Sequence, residues 1–440
     1  MLKEAIDFIY SFYNETLPLI KFDLHDREFR NPRYIRELIA EFGVKVDRGK
    51  NILVVGSKGK GTTATILAEI LRTQGYKVGL FTSPHLERFT ERIKINGQEI
   101  EENLLIQYIK KLQPFAQKKA AQIPKPYYLG PNGLFLTIAL KYFEEMDTDF
   151  NILESGRGGQ YDDIYQMGDH VIFTPIVLEH KYRLGPTLDD VVRTKGLVVD
   201  QKTKTVVISK QSLEVIKGLQ NCFSEKVKVY QYDRDFKLER HLLQKGSSNF
   251  LIKIKGDSYT VRLSTLAEYI GINLSAALMM AKTLLPTFNK EKLPLLESAV
   301  FNGRCEIMNT DPLILLDGMI CRESAEYVVN TLKKLHLSGE KVAIAAIPKD
   351  KDYQGVMEVL SKEFFKIILT KSIGAQYPFF QDFVPIEGLK VNCLVYTSEN
   401  LDDALNLVAK SSPKIIGIFG TQSLIGEARK KFQKIFDNNK

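Results

Sequence analysis

The apolar positions change period along the chain, and those changes divide it into elements. Residues 52–55 (Ile-Leu-Val-Val) form an unbroken apolar run, the pattern of a short strand buried on both faces. From Thr63 to Leu71 the apolar residues Ile66, Leu67, Ile70 and Leu71 fall at helical spacing. Ahead of this pair, residues 1–50 read as helices. Phe8, Ile9, Phe12 and Tyr13 make one apolar face, Tyr34, Leu38, Ile39 and Phe42 another, and Gly43 stops the second helix. Behind it come a strand over 76–82, a strand running from Arg92 into an Asn96-Gly97 turn, and helices over 102–121 and 132–145. Strands follow at 151–154, 171–176, 205–209 and 227–230, a hairpin-like alternation over 248–263, and a helix over 271–286. From about Phe301 the pattern restarts, with strands at 312–317, 342–347, 365–370, 394–397 and 415–419 between helices such as 323–336.

Strands alternating with helices predict mostly parallel sheets. Between the first strand and its helix lies Gly56-Ser57-Lys58-Gly59-Lys60-Gly61-Thr62. Strand, glycine-rich turn and helix N-terminus is the arrangement in which backbone N–H groups cradle phosphate. Gly56, Gly59 and Gly61 let the backbone approach oxygen atoms closely. Lys60 supplies a point charge, and the Thr62 hydroxyl, followed by Thr63, can reach Mg²⁺. Gly61 stands between lysine and hydroxyl, so the spacing departs from GxxxxGK[ST]. The expected fold class is α/β: a large P-loop NTPase-like domain with a mostly parallel sheet over 1–298, and a smaller Rossmann-like domain over 299–440.

Composition narrows the classes of partner. The 440 residues carry a net charge of +8, with lysines spread along the chain rather than massed in a block. That balance suits small anionic ligands and gives no nucleic-acid signature. No apolar run is long enough to span a bilayer, and the N-terminal helix mixes in charges, unlike a secretory leader. Cys222, Cys305, Cys321 and Cys393 lie far apart without a CxxC pair, and six scattered histidines show no zinc spacing. We therefore expect a cytoplasmic protein, read as a monomer, with small-molecule partners and no membrane partner.

Sheets of this kind bind ligands at strand C-termini, where Glu154, His180 and Asp317 fall. A carboxylate beside a triphosphate calls for a bridging Mg²⁺; capping a turn is the plainer role for Glu154. His180 alone reads as structural or as a ligand, Lys195 as a solvated lysine. Arg304 at the domain junction reads equally as a phosphate contact or a salt bridge.

Four dense segments together carry a resemblance. They are GSKGKGTT at 56–63; Thr82-Ser83-Pro84-His85-Leu86 with Phe89, Glu91-Arg92-Ile93 and Ile95-Asn96-Gly97; Leu153-Glu154-Ser155-Gly156-Arg157-Gly158-Gly159; and Leu178-Glu179-His180 leading to Leu184-Gly185-Pro186-Thr187-Leu188 and Arg193-Thr194-Lys195. With Gly303-Arg304-Cys305-Glu306, Lys349-Asp350-Lys351-Asp352 and the 420–427 stretch, the chain resembles the folylpolyglutamate synthase and dihydrofolate synthase group of the Mur ligase superfamily, from about residue 22 to 430. The resemblance implies a central-type ATP-binding domain followed by a ligase domain. It implies that ATP phosphorylates a carboxylate acceptor and that the amine of an amino acid, glutamate in this family, displaces phosphate to leave an amide. Lys60, Lys195 and His180 take the catalytic roles. Gly56, Gly59, Lys60, Gly61, Thr62, Thr63, Asn273, Arg304 and Asp317 hold nucleotide. Thr62, Glu154, His180 and a carbamylated Lys195 hold two Mg²⁺ ions, and Ser83, Pro84, His85 and Asp162 face substrate.

The chain also departs from the family pattern. DGAHNP reads Asp317-Gly318-Met319-Ile320-Cys321-Arg322, and the HQ pair ahead of Asn273 reads Tyr269-Ile270. Pro131-Asn132-Gly133-Leu134 replaces the Phe-Glu segment before Leu136-Thr137, LDATN reads Tyr161-Asp162-Asp163-Ile164-Tyr165, and Lys371-Ser372-Ile373-Gly374 replaces a PRA-like stretch. A folate acceptor and a non-folate acceptor both stand, beside the alternative of a nucleotide binder without turnover.

Overall fold

The computed structural model describes every residue except 22, 245, 374–377, 386–387, 390 and 438–440, so Gly374 lies outside the described residues. One sheet of eight strands runs in the order β4-β3-β2-β5-β1-β6-β7-β8. Its strands are β1 (Asn51–Val55), β2 (Val78–Phe81), β3 (Ile93–Ile95), β4 (Gln98–Glu99), β5 (Phe150–Glu154), β6 (His170–Phe173), β7 (Thr205–Ile208) and β8 (Lys228–Gln231). Pairing is parallel from β2 through β8, with β3 and β4 added antiparallel at one edge. The helices in this part are α1 (Leu2–Thr16), α2 (Pro32–Glu41), α3 (Lys60–Thr73), α4 (Glu102–Ala120), α5 (Pro131–Glu145), α6 (Lys181–Leu184), α7 (Leu188–Gly196), α8 (Leu213–Gln220) and α9 (Glu268–Leu284).

The pleat of β1 sorts its side chains to two cores. Ile52 and Val54 join a cluster with α3 and α9, while Leu53 and Val55 join one built from α1, α2, α4, α5 and α7. All five β1 residues are buried. The apolar run therefore holds β1 in the middle of the sheet, and its C-terminal end opens where helices on both faces converge.

Several elements differ from expectation. Helix α3 starts at Lys60 rather than Thr63, because Gly59 takes a left-handed turn at φ 76° and lets the lysine enter the first helical turn. β6 stops at Phe173 rather than 176, since the next residues leave the ladder and Pro175 O instead accepts the Ser57 and Lys58 N–H groups. The 248–263 alternation is β10 (Ser247–Ile254) with β11 (Asp257–Leu263), but a third strand, β9 (Phe236–Gln244), pairs with β10 as well.

A six-stranded sheet follows, in the order β12-β13-β17-β14-β15-β16. It comprises β12 (Glu306–Thr310), β13 (Leu313–Asp317), β14 (Lys341–Ala346), β15 (Lys366–Leu369), β16 (Leu394–Thr397) and β17 (Ile415–Gly420), with α10 (Arg322–Lys334), α11 (Tyr353–Leu360), α12 (Leu401–Ala409) and α13 (Gln422–Asp437). It is parallel except for β12, an antiparallel edge strand that the period did not reveal. The architecture is thus α/β with mostly parallel sheets. We propose 298/299 as the boundary between the two parts, because the strands on its two sides belong to different sheets. The connection itself is apolar and packed: Ala299, Phe301 and Cys305 are buried in the cluster that holds α3, α9 and β13 together.

Candidate nucleotide and ligation site

The loop after β1 is fixed from both sides. Asn273 of α9 lies against it, so that a Cβ on Gly59 would fall 2.9 Å from Asn273 Oδ1. Thr62 is nearly buried and Thr63 wholly so, and the Thr63 hydroxyl is buried without a hydrogen-bond partner. An orphaned hydroxyl in the first turn of a helix that starts at a glycine turn is a cradle short of an oxygen-rich occupant.

Glu154 closes one wall. It ends β5 in register with Val54 of β1, so the sheet itself delivers the carboxylate beside the loop. Its Oε2 accepts the Ser83 N–H at 2.9 Å and lies 3.1 Å from where a Cβ on Gly61 would stand. Burial pushes its pKa up, while Lys60, the Ser83 N–H, Arg304 and Arg92 favour its ionised form.

Lys195 of α7 stands behind the loop and is wholly buried. Its Nζ donates to Gly56 O at 3.0 Å and Arg157 O at 2.7 Å, and pairs with Glu179 at 3.1 Å. Burial brings this amine down to about 8, against the pull of Glu179. Burial would push the Glu179 carboxyl up, but Lys195, Lys60, His180 and the Ser57 hydroxyl outweigh it and hold the group at about 2. His180 sits 4.0 Å from Glu179, in a left-handed backbone conformation at φ 49° that opens α6. Burial lowers its pKa to about 4, so the imidazole is neutral at ordinary pH and keeps a lone pair to offer.

The second sheet adds two groups. Asp317 ends β13, and its Oδ2 accepts from Tyr269 Oη at 2.7 Å and the Cys305 N–H at 2.8 Å; burial pushes its pKa up. The neighbouring Arg304 guanidinium donates to the Gln422 amide oxygen at 2.7 and 3.0 Å. Arg304 favours the ionised form of both Glu154 and Asp317, and so links the two sheets electrostatically.

A description of the Mur ligase middle domain matches residues 54–281, just over half of the chain. The chain belongs to the Mur ligase family. It is 27% identical over 351 residues to a probable bifunctional folylpolyglutamate synthase/dihydropteroate synthase of Haloferax volcanii, covering 78% of this chain but only 41% of that protein's length. It is 24% identical over 417 residues to the dihydrofolate synthase/folylpolyglutamate synthase of Bacillus subtilis, covering 91% of this chain and 94% of the other. A crystal structure of Mycobacterium tuberculosis folylpolyglutamate synthase with ADP and AMPPCP shares the fold, with a TM-score of 0.83 at 20% identity over 92% of this chain and 95% of that one.

Around the loop after β1, residues singled out from sequence gather in two sets. Lys60, Gly61, Thr62, Glu154 and Asn273 surround the loop, and Lys195 joins His180 through Glu179 behind it. Among the described residues, no set of three or more His, Cys, Asp and Glu side chains is gathered to hold a metal ion. A magnesium site here would draw on Thr62 and Glu154, with His180 and water completing the oxygen and nitrogen donors. Ser83 contributes its N–H to Glu154 and is followed by Pro84 through a cis peptide bond. His85 turns to Arg92, whose Nε donates to His85 Nδ1 at 3.0 Å. Asp162 shapes its own turn, accepting the Arg157 and Gly158 N–H groups at 3.0 and 3.2 Å. Nearby, the buried Asp26 pairs with Arg157 at 2.8 Å, and Arg30 pairs with Asp163 at 3.4 Å.

In the sequence Glu179 stands out only as the neighbour of His180, Arg92 only as the start of a strand and part of a motif, and Gln422 only within the 420–427 stretch. Each acts on a partner in another element or loop (Lys195, His85 and Arg304 respectively), which periodicity does not register. Among the described residues, no helix is long and apolar enough to cross a membrane.

Proposed function

We propose that this chain joins an amino acid, glutamate in the first instance, to a carboxylate of a folate at the expense of ATP. The observation that carries the reading is the buried Lys195. A wholly buried amine behind a phosphate-type loop, shifted down to about 8, has a populated neutral form that can take up CO₂. As a carbamate it becomes an anion near Lys60 but also beside the Glu179 carboxylate, 3.1 Å from the amine, so a cation would have to stand between the two. The names of the relatives support the acceptor and the amino acid.

In this reading the loop amides, Lys60 and the Thr63 hydroxyl hold the ATP phosphates, and Arg304 and Asp317 reach the nucleotide from the second sheet. Thr62, Glu154 and the neutral His180 are the donors for Mg²⁺, with the Lys195 carbamate serving a second ion. Bound there, these ions would neutralise charge on the transferred phosphoryl group. Lys60 draws the γ-phosphate toward Glu154's side of the loop. The acceptor carboxylate oxygen bonds to the γ-phosphorus as ADP leaves, and the amino group then bonds to the acyl carbon as phosphate leaves. The reading also includes a cytoplasmic setting, supported by four free cysteines, and a site built from a single chain.

A non-folate acceptor is the second reading. It is favoured by Asp162, Asp163 and Asp26, whose carboxylates are already engaged by backbone N–H groups and by Arg30 and Arg157. Phosphate release measured over a grid of acceptors and amino acids, folates included, decides between them. Release that needs both a folate and glutamate is expected. Release with another acceptor moves the assignment to the second reading, and release with none removes the ligase assignment.

A further inference from the structure

Tyr269 of α9 crosses from one part of the chain to the other. It stands one helical turn ahead of Asn273, the residue that lies against Gly59, so both project from one face of α9. From that face Tyr269 Oη donates to Asp317 Oδ2 at 2.7 Å, at the end of β13. The ring meets Tyr327 of α10 edge-on, 6.0 Å between centroids, and packs against the apolar cluster that the two sheets share. Its neighbour Glu268 pairs with Lys334, also of α10. Burial pushes the Tyr269 hydroxyl well above its ordinary range, so it stays protonated and donates. The position is a departure in this chain, where the family's HQ pair reads Tyr269-Ile270.

Asp317 is left with little room for a further donor. An ionised carboxylate offers about four acceptor places. Oδ2 takes both Tyr269 Oη and the Cys305 N–H, the latter at 2.8 Å, and the Met319 N–H is a third donor to the same group. Arg304 favours the ionised form, but its guanidinium donates to Gln422. That leaves about one place. Asp317 is only 4% exposed, so a ligand meets it at an edge, where a place already taken is not shared.

Carboxylates near strand C-termini are where α/β sheets of this kind accept sugar hydroxyls. A free carboxylate can accept both adjacent hydroxyls of a ribose. One with a single place left accepts only one of them. We infer that Tyr269 is a specificity-determining residue: by holding Asp317 it limits the nucleotide site to one of the two ribose hydroxyls, so the nucleotide lacking the other hydroxyl binds nearly as well as the ribonucleotide. The inference rests on the nucleotide site of the proposed ligase. Tyr269 acts through Asp317 rather than on the sugar, and is a positioning residue.

The test is calorimetric binding of ADP, 2′-deoxy-ADP and 3′-deoxy-ADP to the wild-type chain and to Tyr269→Phe. In wild type one deoxy analogue should bind within about three-fold of ADP, and the other about 10-fold or more weaker, the effect of one hydrogen bond to a charged group. Tyr269→Phe keeps the ring against Tyr327 and frees the place on Oδ2. Both analogues should then bind about 10-fold or more weaker than ADP. Asp317→Asn removes the charge and keeps the shape, and should bring the sensitive analogue to within about three-fold of ADP. A purely structural tyrosine would shift all three affinities together and leave their ratios unmoved, which would overturn the inference. So would a wild type in which both analogues, or neither, bind more weakly than ADP, or an Asp317→Asn variant with wild-type ratios. If the wild type binds no ADP at all, the nucleotide reading fails and takes the inference with it; if ADP binds and the pattern is absent, the inference alone falls.

Discussion

At the scale of single residues, the site is a lesson in charge buried and answered. Lys195 gains three partners, two carbonyls and Glu179, for one wholly buried ammonium. Lys195→Ala should abolish ligation, and short carboxylates added to the assay should restore part of it by standing in for the carbamate. Full activity without them would end the carbamate proposal. The same substitution leaves Glu179 buried without its main counter-charge, which typically costs about 3–5 kcal/mol, so a lower melting temperature should accompany the loss. Glu179 carries its own pH signature. Its folded-state pKa lies near 2, below the ordinary value of 4.5. The stability it contributes is therefore present above about pH 4.5 and is lost as pH falls toward about 2, on the order of 3 kcal/mol in all. Glu179→Gln should flatten that limb of a urea-unfolding series run from pH 5 to 2.5; an unchanged slope would deny the ion pair. None of this was legible in the sequence by itself. A lysine in Arg-Thr-Lys reads as solvated, and only the family resemblance drew notice to it, because burial depends on what α7 packs against.

At the scale of elements, legibility tracked the strength of the period. β1, β5, β6 and β7 are apolar runs that needed no partner to be seen, and the helices at 102–121 and 132–145 hold their spacing for several turns. β9 hid because Lys237, Glu239 and Arg240 break the apolar count on a strand with one solvated face. β12 hid because it is a half-buried edge strand, without the buried run that marks the centre of a sheet. The loop that follows β5 was readable as glycine-rich, but its reason lies elsewhere in the chain. A Cβ on Gly159 would fall 2.3 Å from Thr194 O and 2.5 Å from Lys195 O, so the loop rides directly on the backbone of α7. Backbone cannot yield as a side-chain tip can. Gly159→Ala should therefore destabilise the chain by about 1–3 kcal/mol and, by displacing α7, depress ligation more than ADP binding. Denaturant midpoints and calorimetric ADP affinity check the two halves. A neutral alanine there would mean the contact is looser than the distances state.

At the scale of the whole molecule, two sheets share one apolar interior and a polar clasp. The hydrophobic cluster passes from α3 and α9 through Ala299, Phe301 and Cys305 into β13 and β14. On the far side of the crevice Arg429 of α13 bonds Glu87 at 2.6 Å and Glu306 at 2.9 Å, tying the loop after β2 to β12. Glu87 is 5% exposed and Glu306 13%, and the one guanidinium meets both carboxylates. This clasp holds the very loop that carries Ser83 to Glu154 and His85 to Arg92. Arg429→Met removes the charge while keeping most of the apolar stem. The expected result is a large fall in kcat, because the loop is no longer held against the second sheet, with ADP affinity within a few-fold of wild type, because the loop after β1 is fixed by Pro175 and Asn273 instead. Single-turnover phosphate release and ADP calorimetry separate these outcomes. The shared interior adds a constraint: if the cluster couples the sheets as its continuity implies, the variant should still unfold in one calorimetric transition, at a lower temperature. Two resolved transitions would show that Arg429, rather than the apolar seam, joins the halves, and a parallel loss of ADP binding would place the clasp's influence on the phosphate loop instead of on ligation.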